Sequence, residues 1–310
     1  MGDKIRALYH IYFFLITLII ITAEASAAPA YRLNAEYWFA NDTDSEFQSI
    51  TALGADLILN RKNDDRITAK FGEHHFSDKT GDKDFTFGSV WAGKTLSDIF
   101  RLEGSISPYF SSFWSPVFWS DSLIITPSRQ YRFELSNARN LVDNMGSVRN
   151  KYFFDSYGIS ADWVISPEIT LVGAYVYEHI SDGNDKSIEI GKVLYSPESY
   201  KWLNLGLFVR NFNNDFTSPF YYSPERYTET LGIMTISQPL FNDKFAIKFN
   251  GGAGYRWTNF DNRFTGNANV RFKGWFDNHW GIDLSGGYLD HGGTGAYQRW
   301  YGSVALLYAF

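Results

Sequence analysis

No cysteine occurs in the 310 residues, so neither a disulfide framework nor a thiolate zinc site holds this fold together. Beyond residue 28 no apolar run reaches the roughly 20 residues that a membrane-spanning helix needs, and no segment keeps a 3.6-residue period. Helical architectures are thereby set aside. The formal net charge is -6 and no stripe of Lys and Arg stands out, which excludes nucleic acid as a partner.

What is abundant is aromatic. With 27 Phe, 20 Tyr, 10 Trp and 26 Gly, the composition fits a β-protein with two unlike faces. The N-terminus is of another kind: "MGDKIR" carries Lys4 and Arg6, "IYFFLITLIIITA" (11–23) is apolar apart from two Thr, and "ASA" (25–27) offers small residues before Ala28. That order is the order of a secretory signal peptide. We expect residues 1–27 to be removed and 28–310 to form one domain. The charges of Asp3, Lys4, Arg6 and Glu24 cancel, so the mature chain keeps its net charge.

The stretch "TISQPLFNDKFAIKFNGGAGYRW" (235–257) shows how the rest is built. A turn separates two runs of strict alternation, with Phe245, Ile247, Phe249, Ala253, Tyr255 and Trp257 on one face and Lys248, Asn250 and Arg256 on the other. Similar runs are expected at 31–40, 47–60, 66–76, 84–97, 100–111, 117–126, 129–141 and 151–165. The second half supplies 169–180, 187–196, 201–212, 226–240, 244–257, 263–276, 280–290 and 296–310. Most are longer than the strands of soluble proteins, which average about 5 to 6 residues, and match the 9 to 11 of a tilted membrane-spanning strand.

Connections alternate in length. "FDNH" (276–279), "LFND" (240–243), "SPE" (166–168), "TPS" (126–128) and "LSD" (96–98) are tight. "NNDFTSPFYYSPE" (213–225), "VDNMGSVRN" (142–150), "SDGNDK" (181–186), "SDKTGDK" (77–83) and "NDTDSE" (41–46) are longer and polar. Short periplasmic turns and longer outer loops are the habit of outer-membrane barrels. The strand at 117–126 keeps the alternation in phase. An open sheet edge in lipid would strand backbone groups at several kcal/mol each, so the sheet must close. The expectation is an all-β, transmembrane antiparallel β-barrel of about 16 strands with both termini periplasmic, in the outer membrane of a Gram-negative bacterium.

The last strand, "AYQRWYGSVALLYAF", turns Trp300, Val304, Leu306, Tyr308 and Phe310 one way. An aromatic C-terminal residue with another two places earlier resembles the terminal strand by which such barrels are recognised for insertion. Tyr308 and Phe310 would then be read by the barrel-assembly machinery. The same phase turns Asp56, Lys70, Arg101, Glu103, Arg132, Glu134, Asp162, Arg210, Lys248, Arg256, Arg271, Lys273, Asp283 and Arg299 inward. A dry core cannot hold so many charges, so the lumen is wet, as a barrel of this size allows. For any one charge, cross-strand pairing into a rigid wall competes with a role in selectivity. Trp202, Phe208, Trp275 and Tyr301 also fall on the inner side, where rings could stack on sugars.

Three pieces, "RQYRFELSNARNLVDN" (129–144), "YGISADWVISPEITLVGAYVYEHISDGNDK" (157–186) and "YYSPERYTETLGI" (221–233), resemble consecutive parts of the C-terminal barrels of exopolysaccharide exporters. These are the outer-membrane subunit of cellulose synthesis and the poly-N-acetylglucosamine export porin. The residues carrying most weight are Ser181, Asp182, Gly183 and Asn184, then Tyr222, Ser223, Pro224, Glu225, Arg226 and Tyr227. The resemblance covers about 129–310 and implies a 16-stranded pore for a linear polysaccharide. Those exporters carry a long periplasmic array of tetratricopeptide repeats, whereas here the first strand follows the leader almost directly. Either a separate periplasmic scaffold protein supplies that part, or this barrel has another cargo. Both motifs are also ordinary turn formers.

Catalysis is disfavoured. His179, Ser181 and Asp182, and likewise His74, His75 and Ser77, are neighbours in sequence, but alternation along a strand sends neighbours to opposite faces. "GGAG" (251–254) lies within a strand, and His279 and His291 lack ligand spacing. Asp42, Asp44 and Glu46 could hold a divalent cation, but a solvated loop is the commoner meaning of such a run. No cofactor and no metal is expected. Besides the export pore, a general diffusion porin and a structural barrel with an idle lumen stay open. Against the porin, such proteins narrow the pore with a long inward-folded loop, and 213–225 looks short for that.

Overall fold

The computed structural model describes residues 30–60, 62–290 and 298–310. The expected leader at 1–27 and His291 lie outside the described residues. The first eight strands are β1 (Ala30–Asp42), β2 (Phe47–Asn60), β3 (Asp65–Asp78), β4 (Gly81–Thr95), β5 (Phe100–Phe110), β6 (Val117–Ser128), β7 (Tyr131–Leu141) and β8 (Phe153–Val164). The others are β9 (Ile169–Ile180), β10 (Asp185–Tyr195), β11 (Leu203–Asn214), β12 (Arg226–Leu240), β13 (Phe245–Thr258), β14 (Asn262–Trp275), β15 (Trp280–Asp290) and β16 (Gln298–Ala309). Each pairs antiparallel with its sequence neighbours, and β1 pairs with β16 to close a 16-stranded barrel. The seam runs from Arg32 opposite Ala309 to Asp42 opposite Arg299. Because the count is even, Ala30 and Phe310 lie at one end, called here the terminal end; the other is the distal end.

Closure leaves no strand edge, and the period of two assigns each side chain to the outside or the lumen. The outside is apolar: Leu53, Phe71 and Phe264 are 68%, 65% and 68% exposed. Burying such a side chain in an apolar phase is worth roughly 1.5–3 kcal/mol, and here only lipid can provide that burial. Tyr31, Tyr131, Trp163, Tyr195, Trp280 and Tyr308 stand outward near the terminal end. Phe39, Tyr157, Tyr175, Tyr255, Trp257 and Trp300 do so toward the distal end. Two aromatic girdles bounding an apolar band are the signature of a membrane-spanning barrel.

The connections depart from the sequence expectation at three places. The β3–β4 turn shrinks to residues 79–80, because Asp78 and Gly81 are already paired across the hairpin and Gly81 takes φ 131°. At the terminal end, 196–202 holds a 3₁₀ turn at Glu198–Tyr200, which delays β11 to Leu203. Trp202 therefore precedes the strand: it is exposed in the turn, its ring edge-on to Tyr200 at 6.0 Å, and not on the lumen wall.

The third departure decides how the lumen is shaped. The β7–β8 connection (142–152) folds into the barrel and forms a short helix, α1 (Met145–Asn150). Asn144 caps it, its side-chain oxygen accepting the Ser147 N–H at 2.8 Å, and Lys151 ends it in the left-handed region at φ 61°. Met145 and Val148 share one face of the helix and pack on the inward Phe76 and Phe85 of β3 and β4. Leu141, Tyr109, Phe113 and Trp114 flank them. This apolar cluster sits inside the lumen, under the distal loops.

Candidate functional site: the lumen and its inward loop

Four polar contacts fasten the inward loop to the wall across from its own strands. Asp143 accepts from Arg299 of β16 at 2.9 Å, and its carbonyl accepts from Gln48 of β2 at 3.4 Å. Glu46 accepts the Met145 N–H at 3.2 Å, and Asp78 of β3 accepts from Arg149 at 2.5 Å. Burial pushes the Glu46 carboxyl up to about 7, reinforced by the charges of Asp42, Asp78 and Asp44 and opposed by the Met145 hydrogen bond.

A second connection, 215–225, closes over the first. Gly146 lies so close to the Phe220 carbonyl that a Cβ there would come within 2.7 Å of its oxygen, which only glycine allows. Asn184, fully buried, binds this connection from the β9–β10 turn. Its Oδ1 accepts the N–H groups of Asp215 and Phe216 at 3.1 and 3.2 Å, and its Nδ2 donates to the Phe216 carbonyl at 2.9 Å and the Tyr221 hydroxyl at 3.0 Å. The Tyr221 hydroxyl in turn donates to Asp182 at 2.9 Å. Burial, with Asp182 as acceptor, drives the Tyr221 phenol above its usual range.

The two turn motifs singled out in the sequence thus meet in one cap. Ser181 accepts the Phe153 N–H at 3.1 Å and Gly183 adopts φ 92°. Ser223 accepts the Ser218 N–H at 2.6 Å, and the carbonyls of Pro224 and Glu225 take the Asn214 side chain and N–H at 2.6 and 3.3 Å. The Arg226 N–H donates to Asn259 at 3.4 Å; Tyr227 lies 6.3 Å from the Tyr222 ring and accepts from Arg210 at 3.1 Å. Their role in the fold is to hold loops together.

Two of the lumen's cavities lie below the cap. One, of about 1350 Å³, is lined by Tyr109, Phe118, Phe220, Tyr222 and Tyr227 among others. The second, of about 730 Å³, lies against Trp38, Asn269 and Arg271. His74 and Asp143 border both, so the inward loop divides the lumen. Neither residue's part in this was visible in the sequence, although Met145 and Val148 stand out, with Val142, as the apolar residues of a mostly polar loop.

Most inward charges are paired, across strands, along one strand or with a neighbouring turn. Asp56 takes Arg32 and also accepts from Thr68 at 2.6 Å; Lys70 binds Glu36 at 2.8 Å; Arg210 binds Glu229 at 3.0 Å. Arg101 reaches Glu103 at 2.7 Å and Asp65 at 3.1 Å; Arg132 reaches Glu134 at 2.7 Å and Asp162 at 3.6 Å. Arg256, fully buried, binds Asp261 at 3.0 Å. Arg271 is bound by both oxygens of Asp283, which Lys273 approaches at 4.0 Å. Lys248 has no carboxylate partner among the described residues. Of the rings, Phe208 lies beneath Lys192 at 5.5 Å, Tyr301 accepts from Asn269 at 3.1 Å, and Trp275 ends β14 at the terminal mouth. They stand at different heights on separate strands.

The sequence neighbours weighed for catalysis diverge. His179 pairs outward with Asp185 at 2.5 Å, and His75 outward with Asp84 at 2.6 Å, whereas His74 turns inward to Tyr109 at 3.4 Å. His279 contacts the Ala309 carbonyl at 2.8 Å. Asp42 accepts the N–H groups of Asp44 and Glu46, both at 2.9 Å, as a loop-closing residue. Among the described residues no group of three or more His, Asp or Glu is placed to hold a metal ion.

No protein-family model and no curated protein sequence matches the chain. Solved structures do. A bacterial polysaccharide outer membrane secretin is similar at a TM-score of 0.70 and 11% identity, over 90% of this chain and 98% of that one. Pseudomonas aeruginosa OccK7 (OpdD) is similar at a TM-score of 0.50 and 9% identity, over 91% of this chain and 98% of that one. At such identities the likeness is one of fold. Together with the closed sheet and the apolar outer band, it places the protein in the outer membrane of a Gram-negative bacterium.

Proposed function

We propose that this protein is an outer-membrane pore that exports a linear polysaccharide, with the terminal end in the periplasm and the inward loop as its gate. The observation carrying this reading is the lumen itself: a closed 16-stranded barrel walled by paired charges and rings, obstructed by two connections, 142–152 and 215–225, the inner one held by an apolar cluster and a few polar contacts. The likeness in fold to the polysaccharide secretin supports it, as do the motifs at Ser181–Asn184 and Tyr222–Tyr227. A periplasmic scaffold protein would deliver the chain, and the barrel-assembly machinery would insert the pore. A general diffusion porin is the second reading. The inward loop favours it, because docking α1 on the far wall leaves cavities of about 1350 and 730 Å³ that suit small solutes.

Single-channel conductance of the refolded mature protein in a planar bilayer separates the two. Linear glycans added at the terminal end should block current in discrete, length-dependent events. Conductance to small ions that no glycan interrupts would favour the diffusion porin.

A further inference from the structure

Wherever two charged residues face each other directly across strands on the lumen wall, the fold either opposes signs or supplies enough counter-charge. Arg32 stands opposite Asp56, Arg132 opposite Asp162, Arg210 opposite Glu229 and Lys273 opposite Asp283. Arg256 and Arg263 stand opposite each other, but Asp261 and Asp290 lie among them, two carboxylates for two cations. One pair breaks the pattern. Lys248 on β13 directly faces Arg271 on β14, two residues along the same face from Lys273, and among the described residues Asp283 is the sole carboxylate bound to the three.

Like charges placed directly opposite are destabilising, and a wall built only for rigidity would not keep them. Arg271 and Lys273 are 51% and 47% exposed at their side chains, against 18% for Asp283, so the surplus charge faces the open lumen. All four residues lie within four positions of the terminal end of their strands. Trp275 follows Lys273 on the same face, at the mouth. Its ring lies over Gly281, where a Cβ would meet it at 2.8 Å. Six to seven strands away, across the barrel, Arg132 is shared by two carboxylates, Glu134 and Asp162, so the excess there is negative. An anion entering from the terminal end is drawn to one side.

We propose that Lys248, Arg271, Lys273 and Trp275 form an entry station for a linear polysaccharide of uronic acids, the cations pairing with sugar carboxylates and the indole stacking on a pyranose face. This rests on the reading of the pore as a glycan conduit. Arg271 can take a carboxylate with two N–H groups once it shares Asp283 less closely, while Lys248 and Lys273 act as point charges.

The test uses the mature protein in a planar bilayer, with polygalacturonate oligomers and a neutral linear glucan of equal length applied separately at the terminal end. The wild type should be blocked by the uronate at least ten times as often as by the glucan, with the difference fading as salt rises. In Lys248→Gln/Arg271→Gln/Lys273→Gln the uronate advantage should vanish and glucan block persist. Lys248→Gln alone leaves no carboxylate behind and should lower uronate block about threefold, which keeps the test open if the triple variant fails to fold. Trp275→Ala should shorten block by both glycans. Uronate block that survives in the triple variant overturns the station. A pore that neither glycan blocks, but whose anion preference falls in the triple variant, overturns the conduit and the polymeric ligand, and leaves the patch as an ion filter.

Discussion

Asp143 and Arg299 meet at 2.9 Å, joining the inward β7–β8 connection to the last strand of the barrel. Arg299 also donates to Gln48 at 3.2 Å and lies 5.7 Å from the Trp38 ring, so the wall side of the latch is fixed before the loop arrives. The loop side is half-exposed, and an ion pair of that kind is worth roughly 0.2–1 kcal/mol. Asp143→Asn should therefore raise the open fraction of single channels a few-fold without altering the conductance of the open state. Arg299→Gln should do more, because it frees Gln48 as well. Equal gating in both variants and the wild type would remove the latch from the mechanism.

Glu46 makes the latch sensitive to pH. Its carboxyl, ordinarily at 4.5, is raised to about 7 in the docked arrangement, above all by burial. A group whose docked value is raised favours docking in its protonated form. Docking is thus strongest below pH 4.5, weakens as pH rises through about 7, and levels off above it. Channel openings should become more frequent between pH 5 and 8, and Glu46→Gln should flatten the profile at its low-pH level. A profile unchanged in Glu46→Gln would assign the response elsewhere.

The apolar side of the loop is the stronger hold. Truncating a buried Met to Ala costs roughly 2–5 kcal/mol in a packed core, and Met145 is buried against Phe76 and Phe85. Met145→Ala and Val148→Asp should release residues 142–152 while leaving the barrel closed, since no strand pairing depends on either side chain. Limited proteolysis of the folded protein should cut within that segment several times faster in both variants, with the thermal unfolding of the sheet unchanged.

Outward and inward positions should answer differently to charge. Leu53 stands in the middle of β2 facing lipid, and Leu53→Arg should lower the stability measured by denaturant unfolding in lipid vesicles by roughly 2–4 kcal/mol. Lys70→Gln, on the inner face of β3, removes one partner of Glu36 in a wet lumen and should cost well under half of that.

The barrel could be read from the sequence because its signal is repeated. Each strand alternates with a period of two, and Phe245, Ile247, Tyr255 and Trp257 needed only that rule to be put outside, with Lys248 and Arg256 inside. The strand at 117–126 had little alternation of its own, yet an even count required it, and β6 is there. Trp202 was misplaced because Pro197 and the 3₁₀ turn after it spend residues that alternation alone would have given to β11. The inward loop escaped notice for another reason. A six-residue helix is under two turns, too short to establish a period, and Met145 and Val148 acquire meaning only when β3 and β4 are brought across the lumen to meet them. Local pattern fixes the wall, whereas the plug depends on contacts distant in sequence.

The C-terminal residue offers the last test. Phe310 is 64% exposed to the lipid side and its ring lies 4.9 Å from Tyr308, while its N–H donates to the Tyr31 carbonyl at 3.0 Å, a backbone bond that any residue could make. The seam itself runs through eleven register pairs from Arg32 opposite Ala309 to Asp42 opposite Arg299, none of which uses the Phe310 ring. If the ring serves recognition during insertion, Phe310→Ala should slow assembly into proteoliposomes containing the assembly machinery at least several-fold, and leave the denaturant midpoint of the inserted barrel unchanged. A midpoint that falls in step with the rate would make the ring a structural clasp of the seam instead.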